Sequence, residues 1–234
     1  DSHWFLFLSY TIPHAHNAMG SETGNGMEIP DDAPFSDRDW PQPEKNKAAM
    51  ITRMDTQVGM ILDRLREVGL DHNTVVFFAS DNGPHREGGV RPEFHDSNGP
   101  LRGIKRDLYE GGIRVPMIVR APGMVKPGTV SDKIWAFWDF LPTAAELAGI
   151  RPPEGLDGLS MVEVLRGNRG PEHEYLYWEL IDRSKLGSYQ GFQQAVRMGP
   201  WKAIRRGNGT ELYDMTRDPG EQHNVAAGHP DVVA

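Results

Sequence analysis

Two short polar segments carry residue types from which an anion or metal site is built. Thr11-Ile12-Pro13-His14-Ala15-His16 and Asp81-Asn82-Gly83-Pro84-His85 each follow directly on an apolar run. A carboxylate beside an amide oxygen suits a hard cation such as Ca²⁺, which takes six to eight oxygens at roughly 2.3–2.6 Å, so Asp81 and Asn82 would supply only part of a shell. The competing local reading is a tight turn, because Asn-Gly tolerates positive φ. His14 and His16 alternate along an extended segment, a spacing that suits loop histidines and also occurs in zinc sites. A third segment runs from Ser97-Asn98-Gly99-Pro100-Leu101-Arg102-Gly103-Ile104-Lys105 into Glu110-Gly111-Gly112-Ile113-Arg114-Val115-Pro116, with four glycines flanking Lys105. Taken alone it reads as a glycine-permissive loop with solvated charges.

The elements that must position these residues follow from hydrophobic patterning. Trp4 to Tyr10 is apolar on both alternating faces, as in a strand covered on two sides. From about Pro13 to Pro43 the chain is rich in Pro, Gly, Asn and Asp and too long for an ordinary connector. Ile51, Met54, Val58, Ile61, Leu62, Leu65 and Val68 then recur at helical spacing, with Gly69 as the stop. Thr74 to Ser80 repeats the buried-strand signature, so strand, helix and strand predict a βαβ unit in a largely parallel sheet. In such sheets ligands gather beyond the carboxyl ends of the strands, where both polar segments lie. Val115 to Val119 offers a third strand, Ile134 to Gly149 a helix begun or kinked at Pro142, and Ser160 to Leu165 a short helix before Gly167. Past about Pro171, strand-like runs at 175–180, 194–197, 201–204 and 212–214 predict a small antiparallel sheet.

Composition narrows the function. The chain has 234 residues, with Lys and Arg at 25 against Asp and Glu at 33, a formal charge of −8. This argues against a general nucleic-acid binder or a protein adhering to anionic membranes, which need a basic face. Six Trp, six Tyr and nine Phe provide bulk for a core. The absence of Cys removes disulfides, thiolate metal sites and a cysteine nucleophile. No apolar run approaches the 18 residues of a membrane span. The chain opens at Asp1-Ser2-His3 with neither an initiator Met nor a leader pattern, and so reads as a piece of something longer.

In their order along the chain, Pro-His-x-His, Asp-Asn-Gly, Leu-Arg-Gly-x-Lys and Glu-Gly-Gly-x-Arg-Val-Pro resemble the sulfatase family of the alkaline-phosphatase-like superfamily. Val196 to Lys202 and Leu212 to Asn224 are similar to that family's closing segment. The resemblance implies an α/β fold, part of a mixed, largely parallel sheet flanked by helices, with a small C-terminal antiparallel sheet. Residues 1–171 would be the C-terminal part of the catalytic domain and 172–234 a small α+β subdomain. It further implies Asp81 and Asn82 as ligands of Ca²⁺, with Mg²⁺ as second choice, and Lys105 at a sulfate oxygen and the bridging ester oxygen. His14 would reach the sulfate and leaving group, and Arg102, Glu110 and Arg114 would hold the loop. His16, His85, Glu87 and His95 are candidates for substrate contact, with a sulfated carbohydrate or aryl sulfate ester as substrate. A periplasmic or secreted location is implied as well.

Parts of the family pattern are missing. Relatives convert a Cys or Ser in a Cys/Ser-x-Pro-x-Arg motif to formylglycine, and carry further acidic metal ligands, a lysine and a histidine upstream. None of these is in this sequence, so the chain alone is expected to lack sulfatase activity. Two alternatives remain open: a zinc phosphatase or phosphodiesterase of the same superfamily, disfavoured because Asn is a poor zinc ligand, and a non-catalytic carbohydrate-binding relative.

Overall fold

The computed structural model describes residues 3–181 and 191–234. Asp1 and Ser2, the first residues of the abrupt start, lie outside the described residues. The chain divides into two compact units, Asp1–Asp71 with Pro84–Gly99, and His72–Gly83 with Pro100–Ala234.

The first unit contains α1 (Asn17–Thr23) and α2 (Gln42–Glu67). Pro41 and Pro43 set up the start of α2, Glu44 lies in its first turn, and Arg64 and Arg66 complement the dipole in its last. Val68 caps it, and Gly69 at φ 73° turns the chain away, as the sequence predicted. Met50 of α2 packs with Ala15, Met27 and Val90 in a buried core. Of the expected apolar stripe, Leu65 is buried, while Ile51 and Val68 are exposed.

Trp4 to Tyr10 is the first departure from the sequence reading. It forms no strand, and Phe5 and Phe7 are 71% and 78% exposed. Its apolar pattern specifies that two faces want cover, but a strand also needs a ladder to join, and the segment belongs to neither sheet of the described residues. The described residues therefore contain no parallel βαβ pair.

In the second unit β1 (Val76–Ala79) pairs with β2 (Met117–Arg120), antiparallel, with Val76 opposite Arg120 and Ala79 opposite Met117. Between them lies α3 (Glu110–Ile113). A 3₁₀ turn at Phe137–Asp139 leads into α4 (Phe140–Leu147), which carries Pro142 in its first turn, where the missing N–H costs nothing. The short α5 (Val162–Leu165) ends before Gly167 at φ 85°.

The predicted C-terminal sheet is present as a meander of β3 (Leu176–Ile181), β4 (Phe192–Met198), β5 (Trp201–Arg206) and β6 (Gly209–Asp214), in that spatial order. Gly207-Asn208 turns β5 into β6, so Asn208-Gly209-Thr210 lies at a hairpin. Ala195, Ile204 and Tyr213 from the sheet close on Leu108 and Tyr109, with Trp178 packed beside them. The chain ends in α6 (Pro230–Val233). Among the described residues no helix is long and apolar enough to cross a membrane.

Candidate active site

Asp81 and Asn82 sit just past β1, in the second unit. Their turn is held by Ser80 Oγ, which donates to the Asn82 carbonyl at 2.9 Å, and by Gly83 N–H, which donates to Gly112 O at 3.0 Å. A Cβ on Gly83 would stand 1.8 Å from Gly111 O, so the Asp-Asn-Gly turn requires glycine because another backbone passes against it. The same two glycines of α3 meet the loop that carries Lys105. Gly111 N–H donates to Arg102 O at 2.7 Å, and a Cβ on Gly112 would stand 2.2 Å from Asp107 O. Thus Gly83, Gly111 and Gly112 let the distant Asp81-Asn82 turn and the adjoining Lys105 loop press on one short helix. The loop itself is closed by Asp107, whose carboxylate accepts from Ile104 N–H at 2.9 Å.

The donor set at the turn is oxygen-rich. Asn82 Nδ2 donates to Gly83 O at 2.9 Å, which leaves Oδ1 as the acceptor end of the amide. Asp81 is exposed, and among the described residues neither its carboxylate nor Asn82 Oδ1 is taken up by a hydrogen bond. Two hard oxygens fit a Ca²⁺ or Mg²⁺ ion better than Zn²⁺, and they remain a partial shell. Among the described residues no group of three or more His, Cys, Asp or Glu could hold a metal by itself.

Behind the Lys105 loop lies a buried charge cluster. Lys202 Nζ is 2.9 Å from Glu110 Oε1 and 2.8 Å from Glu221 Oε1, and Arg197 approaches Glu110 Oε2 at 3.3 Å. Glu110 N–H donates to Glu221 Oε2 at 2.6 Å. Burial pushes the Glu221 carboxyl above its usual range, against the pull of Lys202. Beside this cluster, Arg102 donates to Tyr213 OH at 2.9 Å and to Glu221 O at 3.0 Å, and lies over the Tyr109 ring at 3.9 Å. Tyr109 and Tyr213 both donate to Glu211 Oε2 at 2.6 Å. Burial, then these bonds to a carboxylate, raise both phenols, and the bonds hold Glu211 low although burial opposes it. Arg102 and Glu110 therefore hold the loop, as expected. Arg114 is exposed, its N–H donating to Glu110 O at 2.7 Å.

The remaining candidates belong to the first unit. His14 Nδ1 lies 2.8 Å from Ala15 O, and its Nε2 3.7 Å from Glu87 Oε2. His85 is buried; Glu87 N–H donates to its Nδ1 at 3.2 Å, and its Nε2 faces Pro13 O at 3.2 Å. His16 caps α1, accepting from Met19 N–H at 3.0 Å. His95 stands edge-on to Trp40 at 4.9 Å, with Nε2 3.8 Å from the buried Glu44. Sequence reasoning missed Glu44, which accepts from Arg91 N–H at 2.6 Å, and Lys47, whose ammonium burial pulls below the usual lysine range. It also missed Lys202 and Glu221. For Lys202 a signal existed, since it alternates with Ile204 and so shares the core-facing side of β5.

The family model for sulfatases matches residues 1–150, and one described as N-sulphoglucosamine sulphohydrolase, C-terminal, matches residues 104–232. The chain belongs to the sulfatase family. It is 34% identical to a steryl-sulfatase of Rattus norvegicus over 95% of its own length and 41% of that protein's. It is 30% identical to an N-acetylgalactosamine-6-O-sulfatase of Bacteroides thetaiotaomicron, over 79% of this chain and 39% of that one. The crystal structure of Ps i-CgsB, 27% identical, superposes with a TM-score of 0.78 over 96% of this chain and 46% of that one. The fold of this sulfatase chain is thus the α/β fold of the alkaline-phosphatase-like superfamily, with β1 and β2 as the described strands beside the C-terminal meander. The chain spans less than half the length of these relatives.

Proposed function

We propose that this chain is the C-terminal part of a Ca²⁺-dependent sulfuric ester hydrolase that acts on sulfated glycans. The observation that carries the reading is the glycine contact that seats the Asp81-Asn82 turn and the Lys105 loop on one short helix, Gly111 and Gly112 serving both. Hydrolysis of a sulfate ester needs a nucleophile in line with the S–O bond, positive charge around the equatorial oxygens and a proton for the departing alkoxide. Asp81 and Asn82 would hold the divalent ion, which supplies charge to the sulfate when bound. Lys105 contacts a sulfate oxygen and the bridging oxygen. A unit-charge contact at 4 Å is worth about 4 kcal/mol at an effective dielectric of 20, enough for one lysine to change the rate by orders of magnitude if its contact tightens in the transition state. His14 gives the proton to the leaving oxygen. The nucleophile, a formylglycine, is supplied by sequence outside these 234 residues, and the chain by itself is inactive.

A glycan is favoured over a small aryl ester by the surroundings of the histidines in the first unit. Arg86, Arg91, Glu93 and Phe94 line an open hollow of about 630 Å³, and Trp40 and His95 lie edge-on to Phe94 or to each other within 5.9 Å. Guanidinium groups beside aromatic rings suit a sugar that carries more than one anionic group. His16 and His95 would contact the sugar. The N-acetylgalactosamine-6-O-sulfatase relative is consistent with such a substrate. Residues 1–171 would belong to the catalytic domain and 172–234 to its C-terminal subdomain, in a protein exported to the periplasm or medium.

The test combines metal analysis with turnover by the intact protein carrying this chain. Calcium at one equivalent, lost in Asp81→Ala together with turnover of a sulfated sugar, is the expected result. Stoichiometric zinc with phosphate ester hydrolysis would replace the proposal with the phosphatase reading. Turnover of an aryl sulfate by the 234-residue chain alone would refute its dependence on an outside nucleophile.

A further inference from the structure

His85 lies three residues after the metal-binding Asn82, yet it is buried, with both ring nitrogens engaged by backbone. At Nδ1 the partner is the Glu87 N–H, a donor, so Nδ1 must carry the lone pair. At Nε2 the partner is Pro13 O, an acceptor, so Nε2 must carry the hydrogen. A single neutral tautomer satisfies both contacts, and Nε2–H thereby holds the carbonyl of the residue immediately before His14.

The His85 ring also stacks on that of His14, with centroids 6.0 Å apart and planes 27° from parallel. His14 Nδ1 faces the Ala15 carbonyl, which can only accept, so Nδ1 keeps its hydrogen throughout, and the proton given to the leaving oxygen is the second one, carried on Nε2 of the imidazolium. Glu87 Oε2 lies 3.7 Å from that nitrogen, with the Glu87 side chain 14% exposed. This is an ion-pair distance and longer than a hydrogen bond, so the carboxylate orients the ring through charge when His14 is the imidazolium that gives its proton. Glu87 therefore acts twice: its backbone N–H fixes the tautomer of His85, and its side chain faces the working nitrogen of His14.

We propose that His85 and Glu87 are positioning residues that set the orientation and tautomer of His14 for proton transfer to the leaving group. The role of His14 rests on the sulfatase reading above, whereas the pairing itself rests on contacts within the first unit. This assigns His85 to holding the site and not to touching the sugar. A carboxyl- or carbonyl-anchored imidazole is a known way of fixing which nitrogen does the work, and loss of such an outer partner costs roughly 10- to 100-fold in other sites.

The experiment uses the intact protein in wild-type form and as His85→Leu, His85→Gln and Glu87→Gln. Long-range ¹⁵N–¹H spectra of the imidazoles should show Nε2–H for His85 and Nδ1–H for His14 in the wild type. In H85L the His14 signals should become those of mixed tautomers, while H85Q, whose amide can still donate to Pro13 O, should restore much of the wild-type pattern. Turnover should fall about 10- to 100-fold in kcat for an alkyl sulfate in H85L and E87Q, with KM little changed. A nitrophenyl sulfate, whose leaving group departs without a proton, should lose far less. Equal losses on both substrates, or an Nδ1–H tautomer for His85 in the wild type, would overturn the proposal. A wild-type protein that turns over neither sulfate would overturn the role of His14, and with it the sulfatase reading, while the spectra still decide the pairing.

Discussion

Gly83→Ala tests the central structural claim, that the Asp81-Asn82 turn is seated on α3 by contact between backbones. The new methyl carbon would lie 1.8 Å from Gly111 O, and contacts of such carbons below 3.0 Å do not occur, so the two backbones must part by roughly 1.2 Å. That movement also breaks the 3.0 Å bond from Gly83 N–H to Gly112 O. Overpacking costs about 1–3 kcal/mol, and the lost hydrogen bond about 1 more. The sum, roughly 2–4 kcal/mol, corresponds to a fall in melting temperature of about 4–16 °C for a chain of this size. Gly59→Ala provides the opposite control. It lies inside α2 with nothing within 4 Å of the added carbon, so helix propensity should raise stability by roughly 0.5–1 kcal/mol. Both variants are followed by scanning calorimetry, and G83A also by calcium affinity in the intact protein, since a 1 Å misplacement of ligands is felt strongly at a site. A G83A protein within about 0.5 kcal/mol of wild type would show that the turn is not seated as described.

Four further outcomes are expected. Lys202→Met should destabilise by about 3–5 kcal/mol in chemical denaturation, because it strands Glu110 and Glu221 in the interior, and adding Glu110→Gln and Glu221→Gln should recover part of the loss. Glu221 is held above its ordinary value of 4.5 in the folded chain, so the folded state keeps its proton where the unfolded state has lost it. Its contribution is therefore fully present below about pH 4.5 and fades as the pH rises through the raised value; E221Q should gain on wild type across that rise in denaturation midpoints. Tyr213→Phe removes one of the hydrogen-bond partners of Arg102 and one of two donors to Glu211, and should cost about 1–2 kcal/mol by the same measurement. Lys105→Ala in the intact protein should lower kcat for a sulfated sugar by roughly 10²- to 10³-fold, with the folded fraction unchanged by circular dichroism.

The local elements were legible in the sequence because each depends on a short window. Helical spacing with Gly69 gave α2, and four short apolar runs separated by turn residues gave the meander from Leu176 to Asp214. Strand direction was not legible, because it depends on the partner. Val76–Ala79 has the same residues whether its neighbour runs parallel or, as here, antiparallel through Met117–Arg120. The pattern at Trp4 to Leu8 likewise states a need for cover without naming what supplies it. The residue types of Asp81, Asn82, Lys105 and His14 made them candidates within short windows of sequence, while the contacts that hold the chain around them reach far away in sequence. Glu110 finds Lys202 across 92 residues and Glu221 across 111, and His85 finds Pro13 across 72. The glycines of Glu-Gly-Gly were visible as permissive loop residues. Their real requirement, three backbones within van der Waals contact, became visible only with the fold.

The buried charges explain why a small C-terminal sheet accompanies the Lys105 loop. Helix α3 has only four residues, far below the length at which an isolated helix persists in water. Its first N–H groups would lack partners, yet Glu221 Oε2 accepts from Glu110 N–H and Lys202 of β5 binds the Glu110 side chain. The helix therefore exists where it does because the sheet and the segment after it hold it by charge. Helix α3 in turn is the surface on which both the Asp81-Asn82 turn and the Lys105 loop rest. A hydrophobic contact at this junction would tolerate sliding, whereas paired carboxylates and cations in a dry interior have few arrangements that leave no charge unpartnered. Substitutions at Lys202 or Glu221 should consequently alter the geometry around Lys105 although neither residue would touch the sulfate.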